Sequence, residues 1–312
     1  MTAFRQAGAE TVAVDVNPLA PALYHADHHA LVPPYGSEAY VPRLAELVGE
    51  HGIALIVPLT DLDMRVLAEH REELGATVLL PNADVVERTN DKYATHLFLA
   101  QHGIGSPEAW LPEELPDDLP FPVLVKPRRG FGSRNIFVAN DRLELDFYLA
   151  RTPVASFVER VCQGEEFSID AFCDLEGTCL NSIPRTMIES KGGESIKGMT
   201  IRDEDLIELG RRVAETMGVR GPATIQCFRT APERHEVTDV NLRFGGAFPL
   251  PLAAGGAYPS LALALARGER PEARVGSFRE GVVMTRFFSG VCLVEDEDGA
   301  LEPLGEEVSP GR

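Results

Sequence analysis

Three oxygen-bearing side chains near one end of a predicted β-hairpin could hold a metal ion. The hairpin spans residues 221–246, where two apolar-alternating arms flank a turn-forming segment. Side chains alternate between the faces of a strand, so Asp239, Asn241 and Arg243 share one face, with Gln226 roughly opposite Asp239. The amide and carboxylate oxygens suit Mg²⁺ that carries nucleotide phosphates, and the arginine would meet a transferring phosphoryl group. A hairpin with one water-facing side explains the same residue types, and on this segment alone that alternative stays open.

A second candidate is a glycine-rich loop that follows an apolar strand in FPVLVKPRRGFGSRNIFV, residues 121–138. Glycines allow close approach of the backbone, so Gly130, Gly132 and Ser133 could turn amides toward a phosphate while Lys126 adds positive charge. The segment is not a Walker A loop, because GxxxxGK[ST] and its helix are missing. A plain hairpin turn would explain the glycines but not the cluster of basic residues around them.

Lys92 and a pair of glutamates are weaker candidates. Lys92 lies in the first turn of a helix that opens at TNDK, where the helix dipole disfavours a cation unless an anion binds there. A solvated surface lysine explains this residue equally well. Glu159 and Glu166 lie seven residues apart around Val161. Backbone groups beside an apolar residue could contact an adenine edge, and a carboxylate could bind both ribose hydroxyls, although this pattern alone is not specific.

Two other polar groups favour structural roles. The segment HADHHA, residues 25–30, lacks the partner spacing of a metal site and is predicted to be an ordinary surface loop. Asp61 and Asp63 follow a strand, where they could contact a substrate. Capping of the next helix is the favoured role for both.

The first 88 residues precede most of these candidate residues in the chain and are predicted to form a domain of their own. Strand patterns at 12–16, 53–58 and 77–81 alternate with helical patterns, including one at 39–50, which predicts a small parallel α/β sheet. No GxGxxG follows any strand, so a Rossmann dinucleotide site is poorly supported. A doubly wound domain normally opens with a strand and a glycine turn, whereas this chain begins in a predicted helix. We expect that the first strand is missing or lies upstream of the assigned start.

The proline-rich segment 106–120 marks a boundary between lobes. We predict three parts: an α/β domain at 1–88, a linking helix and lid subdomain at 89–158, and a C-terminal subdomain with the metal site and an acidic tail at 159–312. Two strand patterns lie in the last forty residues.

Composition excludes several classes of protein. The chain has 312 residues, 44% of them hydrophobic, and so can bury a substantial core. A formal net charge of -19 argues against an extended nucleic-acid or anionic-membrane surface. Five cysteines without CxxC spacing favour reduced thiols in a cytoplasmic protein and no zinc site. No apolar run reaches transmembrane length, and the start lacks a signal-peptide core.

The order of these parts resembles ATP-grasp proteins: a lysine at a helix start, a lysine before a glycine loop, two glutamates, then Gln, Asp and Asn before Arg. The similarity is greatest to the carbamoyl-phosphate synthetase large chain and to small single-module ligases related to it. It covers nearly the whole chain and is most specific in DVNLRFGGAFPLPLAAGGAYP, residues 239–259. The resemblance implies an α/β ATP-grasp fold: a truncated Rossmann-like pre-ATP-grasp domain and two α+β subdomains that grip ATP.

The resemblance also implies a role for each matching residue. ATP phosphates or adenine would contact Lys92 and Lys126, adenine would lie against Glu159 and Val161, and ribose would bind Glu166. The Mg²⁺ ligands would be Gln226, Asp239 and Asn241. Arg243 would be catalytic, and Arg185 and Lys191 match a region that faces phosphate or substrate in relatives.

Three features depart from the family pattern. Asp239 replaces the usual Glu and is one methylene shorter, which puts two-metal bridging in doubt. Leu242 stands where relatives carry proline. The chain shows no amidotransferase partner segment, second ATP-grasp half or allosteric domain, so carbamoyl-phosphate synthesis itself is not expected.

The implied reaction is phosphoryl transfer from ATP to a carboxylate, which gives an acyl phosphate that an amine, or in some related ligases a thiol, then attacks. The expected outcome is a C–N bond and release of ADP, with ATP and Mg²⁺ as cofactors and Mn²⁺ as a substitute. The expected partners are small carboxylate and amine substrates, and a homodimer stays open. Two alternatives also stay open: an ATP-binding module without turnover, and an ATP-dependent carboxylase or phosphotransferase that uses bicarbonate.

Overall fold

Two large antiparallel sheets, a separate two-stranded antiparallel sheet and an N-terminal α/β segment make up the part of the chain that the structure describes. This structure is a computed structural model and describes residues 1–130, 135–191, 194–287, 289–296, 299 and 301–304. Across these ranges no helix has the length and apolar character needed to cross a bilayer. All five cysteines are free thiols.

The N-terminal segment alternates helices and short strands. Its elements are α1 (Thr2–Gln6), β1 (Val12–Asp15), β2 (His28–Leu31), α2 (Tyr40–His51), β3 (Leu55–Ile56), α3 (Met64–Glu69), β4 (Thr77–Val78) and α4 (Ala83–Asn90). Strands β1 and β2 pair in parallel, as do β3 and β4. Helix α2 ends as predicted at Gly52, whose φ of 61° lies in the left-handed region.

Two expectations about this segment were wrong. The single parallel sheet is instead two separate two-stranded sheets. Part of HADHHA is not a surface loop, because His28–Leu31 forms β2 and pairs with β1 from Val12↔His28 onward. The histidines hid this strand, since their exposed side chains lack the apolar alternation that marks strands in a sequence.

The middle of the chain forms a four-stranded sheet covered by helices. Its elements are α5 (Lys92–Gln101), β5 (Ala109–Trp110), β6 (Val123–Pro127), β7 (Phe137–Ala139), α6 (Arg142–Arg151) and β8 (Ser156–Arg160). The strand order is β5-β8-β6-β7. One face buries Val123, Val125 and Val158 against Leu145 of α6. Strand β8 crosses the predicted subdomain boundary at 158/159, and the three-part division itself stays a prediction.

The C-terminal part is built on a six-stranded sheet. Its elements are β9 (Glu165–Cys173), β10 (Cys179–Lys191), β11 (Glu194–Thr200), α7 (Glu204–Met217), β12 (Gly221–Ala231), β13 (Arg234–Asn241), α8 (Pro249–Ala253), α9 (Tyr258–Ala266), β14 (Val283–Thr285), β15 (Leu293–Glu295) and β16 (Leu301–Pro303). The strand order is β13-β12-β9-β10-β11-β14, with β15 and β16 paired apart from it. The hairpin predicted at 221–246 is β12–β13, with its turn at 232–233.

Helix α7 covers one face of the six-stranded sheet. Asp203 caps the start of α7, because its side chain accepts a hydrogen bond from the backbone N–H of Leu206. The helix buries an apolar stripe at helical spacing: Leu206, Ile207, Gly210, Val213, Ala214 and Met217. This stripe packs on Ile169 and Ala171 of β9 and Ile225 of β12. Because strand side chains alternate, the polar residues between them are turned to the other face.

Gly210→Ala is expected to lower the free energy of unfolding by about 1–3 kcal/mol, because a core side chain with no room forces its neighbours aside. An added Cβ would lie 2.5 Å from Cγ2 of Ile169 and closer still to Ser182. Gly49→Ala is the matched control, since Gly49 is also helical but has nothing within 4 Å. The control is expected to gain about 0.5–1 kcal/mol. Equal effects of the two variants in urea unfolding would contradict this packing.

Candidate active site

A row of polar side chains crosses the face of the six-stranded sheet that α7 does not cover. Strand pairing places Asp239 beside Gln226, Gln226 beside Ser168, and Ser168 beside Arg185. Directly paired residues on neighbouring strands point to the same face. The predicted pairing of Gln226 with Asp239 is therefore confirmed, and Arg185 shares their row.

The next residues along the same strands extend this polar face. Asn241 pairs with Thr224, and Thr224 with Asp170. Glu166 precedes Ser168 by two positions on β9 and so lies on the same face. The predicted metal ligands, the predicted ribose carboxylate and one predicted catalytic arginine thus occupy one surface.

Lys92 contacts the predicted metal-binding carboxylate. Its Nζ lies 2.5 Å from Oδ1 of Asp239, although 147 residues separate the two. Burial alone would raise the pKa of Asp239, but Lys92 and Lys126 outweigh this effect and hold the pKa below its usual value. Asp239 is therefore anionic at neutral pH.

Helix α5 presents Lys92 because Asp91 caps its first turn, accepting a hydrogen bond from the N–H of Ala94. Asp91 also binds the guanidinium of Arg128, with Nη2 2.5 Å from Oδ2. This anion beside the helix start offsets the unfavourable position of the lysine in the helix dipole.

Lys126 is held by a buried cluster on the four-stranded sheet. Its Nζ lies 3.1 and 3.0 Å from the two carboxylate oxygens of Glu159. His96 of α5 contacts the same carboxylate, with Nε2 2.9 Å from Oε2, and its Nδ1 contacts Ser106. Burial alone would raise the pKa of Glu159. Lys126 and His96 lower it by more than burial raises it, so the pKa lies below its usual value. The carboxylate is only 1% exposed, and this cluster fixes the position of the lysine on β6.

Glu166 is half-buried on the polar face, near two cations. Burial raises its pKa above the usual 4.5, although Lys126 and Arg185 each act to lower it. The charge of Lys126 thus lowers the pKa of both Glu166 and Asp239, two carboxylates of the polar face.

Glu166→Gln is expected to be more stable than wild type, and the difference in the free energy of unfolding is expected to grow as pH rises. The pKa of Glu166 is higher in the folded state than in the unfolded state, so its ionisation costs stability. This cost is absent below the unfolded pKa and complete above the folded pKa. The stability gain of Glu166→Gln over wild type, measured by urea unfolding, should therefore grow as pH rises above the usual pKa of 4.5. The exposed neighbour Glu165 provides a control variant, Glu165→Gln, and a pH-independent gain for Glu166→Gln would contradict the shift.

Arg185 is fixed by a buried network. Its Nε donates to Oδ2 of Asp170 at 2.8 Å, and Oδ1 of Asp170 accepts a hydrogen bond from Thr224 at 3.0 Å. Tyr258 donates to the backbone oxygen of Asp170 at 2.7 Å. The Nη1 atom of Arg185 is buried without a partner among the described residues. A buried guanidinium donor without a partner is available to an anion on the polar face.

Arg243 follows β13 and contacts the N-terminal segment. Its Nε lies 3.3 Å from Oδ2 of Asp61. The expected capping role of Asp61 and Asp63 was wrong for their side chains: α3 begins after Asp63 without a side-chain cap. Asp63 instead accepts a hydrogen bond from the hydroxyl of Tyr40 at 2.7 Å. Long-range partners took the carboxylates that local spacing assigned to a cap.

Five other predicted site residues are only partly described by the structure, or not at all. Val161 lies just after β8 and, with Arg160 and Gln163, lines a cavity of about 520 Å³. Gly130 ends the described part of the glycine-rich loop, and Gly132 and Ser133 lie outside the described residues. Lys191 is the last residue of β10, and its side chain also lies outside the described part.

Sequence reasoning missed several residues of this site. His96 lies four residues after Lys92, a spacing that puts both on one face of the predicted helix and could have indicated it. Asp61 was considered as a substrate contact because it follows strand β3, but the capping role was favoured over it. Asp170 and Thr224 carried no local signal, because their contacts with Arg185 and with each other depend on strand order.

The side chains present suit a magnesium ion. Gln226, Asp239 and Asn241 offer the oxygen ligands that Mg²⁺ prefers, and they do so from one strand pair. The amide nitrogen of Asn241 donates to Asp239 at 3.2 Å, which leaves its carbonyl oxygen without a partner among the described residues. The Asp239 carboxylate forms an ion pair with the Lys92 ammonium group, so it already binds a positive charge. The described ranges contain no group of three His, Cys, Asp or Glu side chains that could hold a metal ion, and the proposed set has one carboxylate and two amides.

Comparisons with known proteins agree with this architecture. Residues 1–79 match the PylC-like N-terminal domain, and residues 154–287 match the family described as ATP-grasp in the biosynthetic pathway with Ter operon. The carbamoyl phosphate synthase large chain of Thermus thermophilus is 26% identical over 269 residues, which cover 79% of this chain and 26% of that protein. The same protein of Clostridium beijerinckii is 26% identical over 204 residues, 59% of this chain and 19% of that protein. The chain thus spans about a fifth to a quarter of these relatives.

Solved structures share the fold at low sequence identity. One is the biotin carboxylase domain of Hydrogenobacter thermophilus 2-oxoglutarate carboxylase, solved with MgADP and bicarbonate. Its TM-score is 0.72 at 18% sequence identity, and the match covers 90% of this chain and 69% of the carboxylase chain. The N5-carboxyaminoimidazole ribonucleotide synthetase of Thermotoga maritima has a TM-score of 0.65 at 18% identity, with coverage of 88% and 73%. The match over residues 154–287 and the shared fold together show that the chain has an ATP-grasp fold. Its sequence is similar to the large chain of carbamoyl phosphate synthase.

Proposed function

We propose that the protein is an ATP- and Mg²⁺-dependent ligase that activates a carboxylate for attack by an amine. A carboxylate oxygen of the substrate attacks the γ-phosphorus of ATP, the bond between that phosphorus and the β,γ-bridging oxygen breaks, and ADP leaves. The amine nitrogen then bonds to the acyl carbon, the carbon–oxygen bond to phosphate breaks, and the nitrogen loses a proton. The products are an amide, ADP and phosphate.

The contact between Lys92 and Asp239 is the observation that carries this proposal. It joins the start of α5 to the polar face of the six-stranded sheet, and the charge of Lys126 reaches the same carboxylate. Two cations from different elements therefore flank a surface with carboxylate and amide oxygens. Such an arrangement is suited to a nucleotide triphosphate with its metal ion, because phosphoryl transfer depends mainly on positioning and charge neutralisation.

Each residue has a distinct part in the proposal. Lys92 and Lys126 bind phosphates, and Glu166 accepts hydrogen bonds from ribose. Gln226, Asp239 and Asn241 would hold Mg²⁺, which when bound neutralises charge on the phosphates and orients them. Arg243 stabilises charge on the transferring phosphoryl group, and Arg185 offers its free donor to phosphate or substrate.

We propose that the three parts of the chain have separate tasks in this assignment. The segment 1–88 contributes to the substrate pocket, because Asp61 reaches Arg243. Residues 89–158 supply both lysines, and residues 159–312 supply the polar face. Adenine is proposed to lie along the connection after β8, beside Glu159 and Val161.

The test combines nucleotide binding with product release. Calorimetric titration with Mg·ADP should give a heat of binding that is weakened in Asp239→Asn. Release of ADP is then measured with a panel of carboxylates, with and without amines. Release that requires both substrates supports the ligase.

The other outcomes assign the alternatives. Binding of Mg·ADP without ADP release from any ATP mixture would indicate a binding module without turnover. Release with bicarbonate alone would indicate a carboxylase or phosphotransferase. No heat of binding for well-folded protein would refute the proposal.

A further inference from the structure

Both oxygens of the Asp239 carboxylate accept hydrogen bonds from the protein itself. Oδ1 accepts one from Nζ of Lys92 at 2.5 Å and one from the backbone N–H of Val240 at 3.2 Å. Oδ2 accepts one from the amide nitrogen of Asn241, also at 3.2 Å. Asn241 thus turns its nitrogen, and not its oxygen, toward the carboxylate. A metal ion that binds Asp239 has to displace at least one of these donors.

Lys92 is the donor that competes most directly with a metal ion, because it alone among the three carries a positive charge. Two cations on the same carboxylate oxygen repel each other strongly. The side chains of Lys92 and Asp239 are only 17% and 22% exposed, so water screens this repulsion in part and does not remove it. The ammonium group must therefore leave Asp239 before a metal ion can bind there.

The backbone of Lys92 is fixed, whereas its side chain can change direction. Its backbone N–H donates to the backbone oxygen of Arg128 at 2.8 Å, and Asp91 caps the same turn of α5. A lysine side chain is a flexible four-carbon stem, so Nζ can leave Asp239 without any movement of the helix. What this change needs is another anion within reach of Nζ.

The neighbouring carboxylates do not readily supply that anion, because other cations of the site already hold them. Each of these three pairs has its nitrogen and oxygen within 3.3 Å: Lys126 with Glu159, Arg185 with Asp170, and Arg243 with Asp61. Moving Lys92 to one of these carboxylates would bring two cations together. The phosphates of a nucleotide would instead bring new negative charge to the site.

From this geometry we propose that Lys92 and the metal ion compete for Asp239, so that the metal ion binds together with a nucleotide whose phosphates take over Lys92. The metal ion alone binds weakly, which keeps the site from filling with metal before the nucleotide. The inference rests on the proposed function, because it describes the regulation of the same site. It goes beyond the roles assigned there, since a metal-binding carboxylate without an internal counter-ion would bind the ion by itself.

The test measures the binding of Mn²⁺ alone, so that it depends on neither turnover nor nucleotide. The protein is titrated with MnCl₂, and free Mn²⁺ is followed by its electron paramagnetic resonance signal. Lys92→Met and Lys92→Gln should each bind Mn²⁺ about tenfold or more tightly than wild type, because the competing charge is gone. The double variant Lys92→Met with Asp239→Asn should lose this gain, since the gain belongs to Asp239.

A second measurement uses the nucleotide, because the coupling between two ligands is reciprocal. Calorimetry compares the affinity for Mg·ADP with the affinity for ADP in the presence of EDTA. The ratio of the two affinities should be about tenfold or more larger in wild type than in Lys92→Met, since in wild type each ligand prepares the site for the other.

Lys197→Met is the matched control, because Lys197 is a half-exposed lysine of the same sheet and pairs with Glu189 on the surface. It should keep the Mn²⁺ affinity of wild type. The inference is overturned if the Lys92 variants bind Mn²⁺ no more tightly than wild type, or if the double variant keeps the gain. The proposed function is judged separately: wild-type protein that does not bind Mg·ADP refutes that proposal, whereas Mg·ADP binding with equal Mn²⁺ affinities refutes only the competition.

Discussion

Arg243→Ala is expected to reduce turnover about a thousandfold or more while leaving Mg·ADP binding largely intact. Arginine contacts to a transferring phosphoryl group contribute on this scale, because they act on charge that develops only in the transition state. Arg243 is placed for this role two residues beyond Asn241, at the end of the polar face. The measurement is kcat/KM for ADP release with the most active carboxylate, together with calorimetry.

Arg212→Ala provides the matched control, since Arg212 is an exposed arginine of α7, on the covered side of the same sheet. It should retain both activity and binding. Full activity of Arg243→Ala would refute its catalytic role. Loss of Mg·ADP affinity in that variant would instead indicate a role in binding the ground state.

Glu159→Ala is expected to lower the free energy of unfolding by about 3–5 kcal/mol, because it leaves Lys126 buried without its counter-ion. Glu159 is 1% exposed and contacts both Lys126 and His96. The measurement is urea unfolding at neutral pH. Glu46→Ala is the control: Glu46 pairs with Arg43 on the surface of α2, and an exposed pair contributes about 1 kcal/mol or less.

A double variant separates packing from charge. Lys126→Met with Glu159→Leu should recover much of the lost stability, since it buries no unpaired charge, but it should not restore Mg·ADP binding.

The stabilisation that Glu159 provides depends on pH in a definite direction. The pKa of Glu159 is lowered in the folded state, so its stabilisation is present above the usual 4.5 and is lost as pH falls below it. A loss in Glu159→Ala no larger than in Glu46→Ala would contradict the buried cluster.

The sequence by itself determined the local elements that carry the site. The alternation of side chains along residues 221–241 was enough to predict that Gln226 and Asp239 would be neighbours, because a hairpin brings its arms together through a short turn. The cap signals at TNDK predicted the start of α5 at Lys92 for a similar reason: the contact that fixes it spans three residues. The order of these parts also sufficed to indicate the ATP-grasp fold.

Tertiary structure decided which side chains meet. Lys92 and Asp239 are 147 residues apart, and Asp61 and Arg243 are 182 residues apart. Nothing in local spacing specifies such contacts, so Asp61 was assigned to a helix cap that its side chain does not form. Strand order likewise placed Arg185 in the row of Asp239, since β9 and β12 lie between their strands. Periodicity fixes which face of a strand a residue occupies, whereas the packing of sheets and helices decides what that face meets.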